Sequence, residues 1–174
     1  MAKRGADGFT LVEMLVVIAI LGILMAMMVP AAGIIMKRAK ISNTKSDAGI
    51  VASTLLKYQS EYNRWPAPYA ASGEGESDDD WVAMMAPAPG SGAVAANPKR
   101  IGFFEPGAGA LGADGAFVDG WARPFLFQVD LDGDGQMNNP DQSVPGQIRA
   151  RALVWSGGPD GDPETWVDNV KSWE

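Results

Sequence analysis

The stretch Gly8-Phe9-Thr10-Leu11-Val12-Glu13-Met14-Leu15-Val16-Val17-Ile18-Ala19-Ile20 opens an apolar run that decides the fold of this chain. No charged side chain occurs from Met14 to Met36. A helix of that length, at ~1.5 Å rise per residue, is enough to cross a hydrocarbon core of ~30 Å. The sequence therefore predicts a membrane-spanning helix over residues 9–36. Lys3 and Arg4 precede it, which predicts a cytoplasmic N-terminus and a translocated C-terminal part.

Glu13 is the one acidic residue at the head of this run. A carboxylate near a helix start complements the macrodipole, which is the simplest interpretation. An acid so close to the hydrocarbon is costly, however, and usually has a partner. The alternative interpretation is an ion pair with a positive charge, such as the freed α-amino group of a neighbouring chain.

Composition excludes several classes of protein. The 174 residues include no cysteine and no histidine, which removes Ser-His-Asp and Cys-His catalysis and the usual zinc and iron sites. The formal net charge of −7 argues against nucleic-acid binding, which needs a basic face. A membrane-anchored hydrolase would have to use a carboxylate pair, as glycosidases do, and the acids here fall instead at spacings typical of calcium loops. We therefore expect a protein that is not an enzyme and does not bind nucleic acid. Any metal that fastens it should be a hard cation on oxygen ligands.

The helical pattern continues beyond the apolar run. One face repeats at spacings of three and four, which predicts an amphipathic continuation over residues 37–64. The helix should end before Trp65-Pro66, because the residue before proline resists helical geometry. One helix is thus expected from about Phe9 to Asn63. The residues of its apolar face are Thr44, Ala48, Val51, Leu55, Tyr58 and Tyr62.

Residues 65–174 are rich in glycine and proline and read as a globular head. A variable loop region, 66–100, contains a short capped helix beginning near Ser77, whose acids are interpreted as helix-dipole partners rather than metal ligands. Strands are predicted across residues 101–174, at 101–104, 125–129 and 149–155. The expected fold class is α+β: a long N-terminal helix packed against about three antiparallel strands.

Residues 130–141 form the strongest chemical motif. Oxygen ligands fall at loop positions one, three, five, nine and twelve, with glycine at position six and a backbone carbonyl available from Gln136 at position seven. This spacing predicts calcium, and the aspartate at position twelve resembles the calcium loops of dockerin repeats. An Asx-rich hairpin without an ion is the alternative. The predicted ligands are Asp130, Asp132, Asp134, Gln136, Asn138 and Asp141.

The segment Gly8-Phe9-Thr10-Leu11-Val12-Glu13 resembles the processing motif of type IV prepilins and type II secretion pseudopilins. The resemblance implies that residues 1–8 are a leader, that a prepilin peptidase cuts after Gly8 and methylates Phe9, and that Glu13 supports filament assembly. Residues 119–124 are similar to the Asp-Pro-Trp-Gly-x-Pro turn of pseudopilin heads, with Gly120 and Ala122 as departures.

A second acidic loop begins at Ser156 and is similar to the C-terminal calcium loop of major pseudopilins. The resemblance implies ligands at Ser156, Asp160 and Asp168, with Asp162 able to substitute for any of them. Family position favours this loop and ligand spacing favours the loop at Asp130, so either one or both are candidates for calcium.

These inferences together predict a filament subunit of a type II secretion or related type IV filament system. It would be a single-pass protein of the bacterial inner membrane with a periplasmic head, forming extracytoplasmic filaments after assembly. The expected partners are copies of itself, other pseudopilins, the prepilin peptidase and the inner-membrane assembly platform. The alternatives are a minor or adhesive type IV pilin and a membrane-anchored, calcium-dependent interaction module.

Overall fold

The computed structural model describes residues 9–90 and 95–174, except for the side chains of residues 27–32. These residues form two helices and six strands, and the chain divides into two units, one ending at Ala39 and one spanning Lys40–Glu174. In chain order the elements are α1 (Leu11–Tyr62), β1 (Glu74–Glu76), α2 (Asp79–Met85), β2 (Leu126–Val129), β3 (Met137–Asn138), β4 (Gln147–Ile148), β5 (Ala152–Ser156) and β6 (Val170–Lys171).

Helix α1 contains 52 residues. It begins two residues after the predicted start and ends one residue before the predicted end. The physical stop is Asn63, whose φ of 51° lies in the left-handed region that asparagine tolerates just beyond a helix. The prediction of one long helix is confirmed.

The N-terminal part of α1 leaves its apolar side chains exposed. Leu11 is 80% exposed, and the least exposed large apolar side chains up to Met36, Met14 and Val17, are still 45% exposed. These values belong to the described side chains, which stop at Ala26 and resume at Gly33. This stretch of helix buries none of its described large apolar side chains.

The C-terminal part of α1 buries the predicted apolar face. Thr44, Ala48, Val51, Leu55 and Tyr58 are all 0% exposed, and Tyr62 packs half-buried against the same core. Each fully buried aliphatic side chain contributes about 1.5–3 kcal/mol of hydrophobic stabilisation. The interpretation of this face as core packing is confirmed.

A four-stranded antiparallel sheet in the order β1-β2-β5-β6 supplies the other side of the core. Phe127 and Val129 of β2 lie opposite Val154 and Ala152 of β5, and this face belongs to the same core cluster as Leu55 of α1. Strands β3 and β4 form a separate two-stranded sheet. The α+β class with a small antiparallel sheet is confirmed.

Two details of the predicted strands are wrong. Residues 101–104 are not a strand, although Phe103 is buried there and its ring lies 5.4 Å from that of Tyr58. The four-stranded sheet also begins before residue 101, because β1 at Glu74–Glu76 pairs with β2. Strands of two or three residues, such as β1 and β6, are too short for a period-two pattern to be recognised.

Helix α2 confirms the predicted capped helix. Asp78 caps it, accepting a hydrogen bond from the Trp81 backbone N–H at 2.8 Å, and Asp79 and Asp80 are exposed in its first turn. Trp81 is fully buried against the core. These acids thus stand where the helix-dipole interpretation puts them.

Candidate functional site

The start of α1 carries a reciprocal pair between Thr10 and Glu13. The Thr10 backbone N–H and hydroxyl donate to Glu13 Oε2 at 2.8 and 2.7 Å, and the Glu13 N–H donates to Thr10 Oγ1 at 3.2 Å. This is a capping box, which satisfies helix-start donors that have no partner inside the helix. The Thr-x-x-Glu spacing is the sequence signal of this capping box, which was not among the predicted features.

The other residues predicted for processing lie beside this cap. Phe9 is 77% exposed at the entrance to α1. Gly8 lies outside the described residues. Within this unit, Glu13 is an exposed carboxylate whose described hydrogen-bond partner is Thr10.

The first acidic loop brings three of its predicted ligands together. One carboxylate oxygen from each of Asp130, Asp132 and Asp134 lies within 4.8 Å of the other two. Asp130 is 3% exposed, directly after β2, whereas Asp132 and Asp134 are exposed. Three converging carboxylates repel one another, and a cation among them relieves that repulsion.

Backbone donors also hold Asp130 in its ionised form. Burial raises the pKa of Asp130, but hydrogen bonds from the Gly135 and Gly133 N–H groups, at 2.9 and 2.7 Å, together with Asp132 and the nearby Arg151 charge, lower it below its usual value overall. Gly133 and Gly135 have φ angles of 77° and 75°. These left-handed conformations, which glycine adopts readily, let the loop turn tightly enough for both hydrogen bonds.

Of the remaining predicted ligands of this loop, Gln136 and Asn138 line the same pocket as Asp130 and Asp132, whereas Asp141 lies outside the group of three carboxylates. Asp141 is 5% exposed and accepts hydrogen bonds from the Ser143 N–H and hydroxyl at 2.9 and 2.5 Å, in a turn of its own. Asn138 is an exposed residue of β3, and the Gln136 N–H donates to Asp134 Oδ1 at 2.7 Å. The group of converging carboxylates therefore contains three of the four predicted aspartate ligands.

The second acidic loop leaves two buried oxygens without partners. Asp168 Oδ1 and Asn169 Oδ1 have no hydrogen-bond donor among the described residues. Asp168 Oδ2 accepts a long hydrogen bond of 3.4 Å from the Asp160 N–H, and the Asp160 carboxylate accepts from the Asp162 N–H at 2.9 Å. A buried oxygen without a donor is costly, so this loop fits a cation as its missing partner. Asn169 was not among the predicted ligands.

Ser156 and Arg123 tie the second loop to the turn at residues 119–123. The Ser156 hydroxyl donates to Asp119 Oδ2 and accepts from the Gly158 N–H at 3.1 Å. Arg123 Nη1 donates to the Gly158 carbonyl at 3.1 Å. The predicted ligand Ser156 thus donates to Asp119, a buried carboxylate that was predicted only as part of a turn.

The same turn contacts helix α1. Asp119 Oδ1 accepts from the Trp121 and Arg123 N–H groups at 2.8 and 3.0 Å, and the Gly120 N–H donates to Thr44 Oγ1 at 3.0 Å. A Cβ at Gly120 would lie 3.0 Å from that hydroxyl oxygen, so the departure to glycine fits the close approach. Ala122 adopts a φ of 64°, in the left-handed region where the family pattern has glycine.

The chain is similar to known proteins over part of its length. Residues 3–29 match the family described as the prokaryotic N-terminal methylation motif. The chain is 40% identical over 73 residues to fimbrial protein EcpC of Eikenella corrodens, covering 42% of this chain and 48% of that protein. It is 37% identical over 67 residues to type II secretion system core protein G of Pseudomonas aeruginosa, covering 38% and 47%.

The chain therefore spans about half the length of the curated relatives it matches. No solved structure matches it. The methylation motif and the two relatives together support a pseudopilin or type IV pilin-like protein.

None of the helices in the described residues is both long enough and apolar enough to span a membrane.

Proposed function

We propose that this chain is a structural filament subunit of a type II secretion or related type IV filament system. The observation that carries the proposal is the methylation motif over residues 3–29, continuous with a helix whose described large apolar side chains up to Met36 are exposed. Apolar side chains in such numbers need lipid or neighbouring helices around them. Anchoring in the inner membrane, followed by bundling of helices into a filament, provides both.

In the proposed assembly, a prepilin peptidase cuts between Gly8 and Phe9 and methylates the new amino group. That amino group then pairs with Glu13 of a neighbouring subunit. The exposure of Phe9 and Glu13 at the start of α1 supports this role, since both groups are accessible to another chain. A carboxylate without a cation would be costly at hydrocarbon depth, and the pairing removes that cost. The head would then stand on the periplasmic side, served by the inner-membrane assembly platform and other pseudopilins.

The proposal includes calcium in the head. Asp130, Asp132 and Asp134 would hold the ion in the first loop, and Asp160 and Asp168 with the Asn169 amide oxygen would hold it in the second. The ion would supply positive charge that fastens a loop in a chain without cysteine. The buried oxygens without donors favour the second loop, and the converged carboxylates favour the first.

Mass spectrometry of the protein isolated from membranes tests the processing step. We expect loss of residues 1–8 and the added mass of one methyl group on Phe9. Cells lacking the prepilin peptidase provide the control, in which the full chain should persist. A chain that keeps residues 1–8 in the presence of the peptidase would contradict the proposal.

Thermal unfolding of the full chain in detergent, with calcium and then with a chelator, tests the metal. A ligand at 100 times its Kd stabilises the folded state by ~2.7 kcal/mol, so the midpoint should fall when calcium is removed. If the first loop binds calcium, the variant Asp132→Asn/Asp134→Asn should abolish the calcium-dependent shift of the midpoint. If the second loop binds it, Asp168→Asn should abolish that shift. Asp79→Asn/Asp80→Asn is the matched control with exposed acids in α2. Identical midpoints with calcium and chelator would remove calcium from the proposal.

The fimbrial relative favours a second candidate, a pilin of a surface appendage. Deleting the gene for this chain distinguishes the secretion pseudopilin from the fimbrial pilin. A secretion pseudopilin is required for export of folded proteins, whereas a fimbrial pilin is required for surface fibres seen by electron microscopy. Loss of fibres with unchanged secretion would favour the second candidate.

A further inference from the structure

The face of the four-stranded sheet opposite the core cluster carries a groove of about 810 Å³. Successive side chains of a strand point to opposite faces, so the register identifies which residues share the groove. Glu74 and Glu76 of β1 lie opposite Gln128 and Leu126 of β2, and Leu126 lies opposite Trp155 of β5. The two carboxylates and the indole thus occupy one face of the sheet.

Among the described residues, the lining of the groove includes four carboxylates and no lysine or arginine. Glu74, Glu76 and Glu164 are exposed along it, and Asp141 lies buried at its side. Within the part of the chain that the structure describes, none of these four forms an ion pair. Like charges gathered along a concave wall create a negative potential that attracts a cationic group.

Tryptophan rings give the same groove a second means of holding a cation. The rings of Trp155 and Trp166 have centroids 5.6 Å apart, and both residues line the groove. Lys171 Nζ already lies 5.9 Å from the Trp166 centroid, so this aromatic wall accepts an ammonium group from its own chain. The groove therefore suits the ammonium and guanidinium groups of a basic segment.

The chain itself carries such a segment. Lys37, Arg38 and Lys40 are exposed within one turn of α1. Among the described residues none of the three forms an ion pair, whereas Lys99 pairs with Glu61 at 2.5 Å. Lys37 and Lys40 are three positions apart and so project from the same side of the helix.

We propose that the groove of one copy receives the basic turn Lys37–Lys40 of a second copy. The charges are complementary, and the two surfaces are different parts of the same chain. An interface between two different surfaces of identical subunits is heterologous, and it propagates an open filament when the rotation does not close. The inference rests on the proposed function as a filament subunit. It adds to the Glu13 ion pair a second contact between subunits, made by the groove in the head.

Charge reversal in the full chain, expressed with its assembly machinery, tests the contact. Lys37→Glu/Lys40→Glu and Glu74→Lys/Glu76→Lys should each reduce sedimentable filament by about tenfold or more, because like charges then face each other across the interface. The four changes together should restore most of the yield. Lys45→Glu and Glu105→Lys, which reverse exposed charges outside the two surfaces, should leave the yield unchanged.

Cross-linking supplies an independent measurement, because the chain has no cysteine to interfere. Copies with Glu76→Cys mixed with copies with Lys40→Cys should give a dimer with a short bis-maleimide, and Glu105→Cys mixed with Lys40→Cys should not. Capture of a different protein by Glu76→Cys, with no such dimer, would overturn the second copy as the occupant.

The two proposals fail in distinguishable ways. If processed wild-type chain forms no filament, the proposed function is wrong. If wild-type filaments form and the charge-reversed variants assemble equally well, only the groove contact is wrong. The same conclusion follows if the variant with all four substitutions does not recover the yield of filament.

Discussion

The two parts of helix α1 belong to one continuous helix, but they differ in the burial of their side chains. In the first, Leu21 and Ile23 are 49% and 59% exposed; in the second, the polar side chains of Thr44 and Thr54 are 0% exposed. Hydrophobicity alone does not decide burial. A helical face is buried only where another element of the chain covers it, and the sheet covers the second part.

The difference indicates how the helix is used. The C-terminal part satisfies its apolar face inside its own unit, as an ordinary amphipathic helix does. The N-terminal part carries apolar residues whose described side chains find no such cover up to Met36. In the proposed filament those side chains contact lipid first and neighbouring helices later.

The largest expected effect is on assembly. Glu13→Ala should reduce filament yield about a hundredfold or more, because breaking a buried ion pair costs about 3–5 kcal/mol. Sedimentation of sheared filaments measures it. Thr10→Ala is the matched control, since it removes the capping hydroxyl and keeps the carboxylate. Equal losses in both variants would mean that Glu13 acts only as a helix cap.

The next effect is on stability of the C-terminal part. Leu55→Ala should lower the free energy of unfolding by about 2–5 kcal/mol, because it leaves a cavity in the core. Its neighbour Leu56 is 38% exposed, and Leu56→Ala should cost well under half as much. Denaturant unfolding of the full chain in detergent compares the two. Similar losses of unfolding free energy in the two variants would contradict the assignment of Leu55, and not Leu56, to the core.

A smaller effect separates the two buried threonines. Thr44→Val leaves the Gly120 N–H without its acceptor and should cost about 1–3 kcal/mol. Thr54 Oγ1 is buried with no hydrogen-bond partner in the described residues, so Thr54→Val should be neutral or stabilising. Thermal unfolding measures both changes. A loss at Thr54 as large as that at Thr44 would contradict this assignment.

The smallest effect concerns the turn that contacts Thr44. Ala122→Gly should stabilise the head by roughly 0.5–1 kcal/mol, because alanine at a φ of 64° is strained and glycine is not. Ala116→Gly is the control: this buried alanine has no positive φ, so the change should destabilise. A lower midpoint for Ala122→Gly would show that the turn is not strained there.

Much of this molecule could be predicted because its signals are local. The apolar face of α1 repeats every three or four residues, and Asp78 caps α2 within one turn of sequence. The three carboxylates at Asp130, Asp132 and Asp134 alternate along a tight loop, so their convergence was also foreseeable. Strands β1 and β6 could not be predicted, because a strand of two or three residues is too short to show a recognisable alternation of apolar and polar residues.

The sequence by itself determined the long helix, the buried stripe of its second part and the acidic loops, since each depends on spacing within a few residues. The tertiary structure alone decided that Asp119 accepts the Ser156 hydroxyl, that Asp168 and Asn169 keep buried oxygens without donors, and that Glu76 and Trp155 share a groove. The Asp119–Ser156 hydrogen bond and the groove shared by Glu76 and Trp155 join residues dozens of positions apart. They exist only once the sheet has brought the segments together, because a hydrogen bond or a groove depends on distance in space and not on separation along the chain.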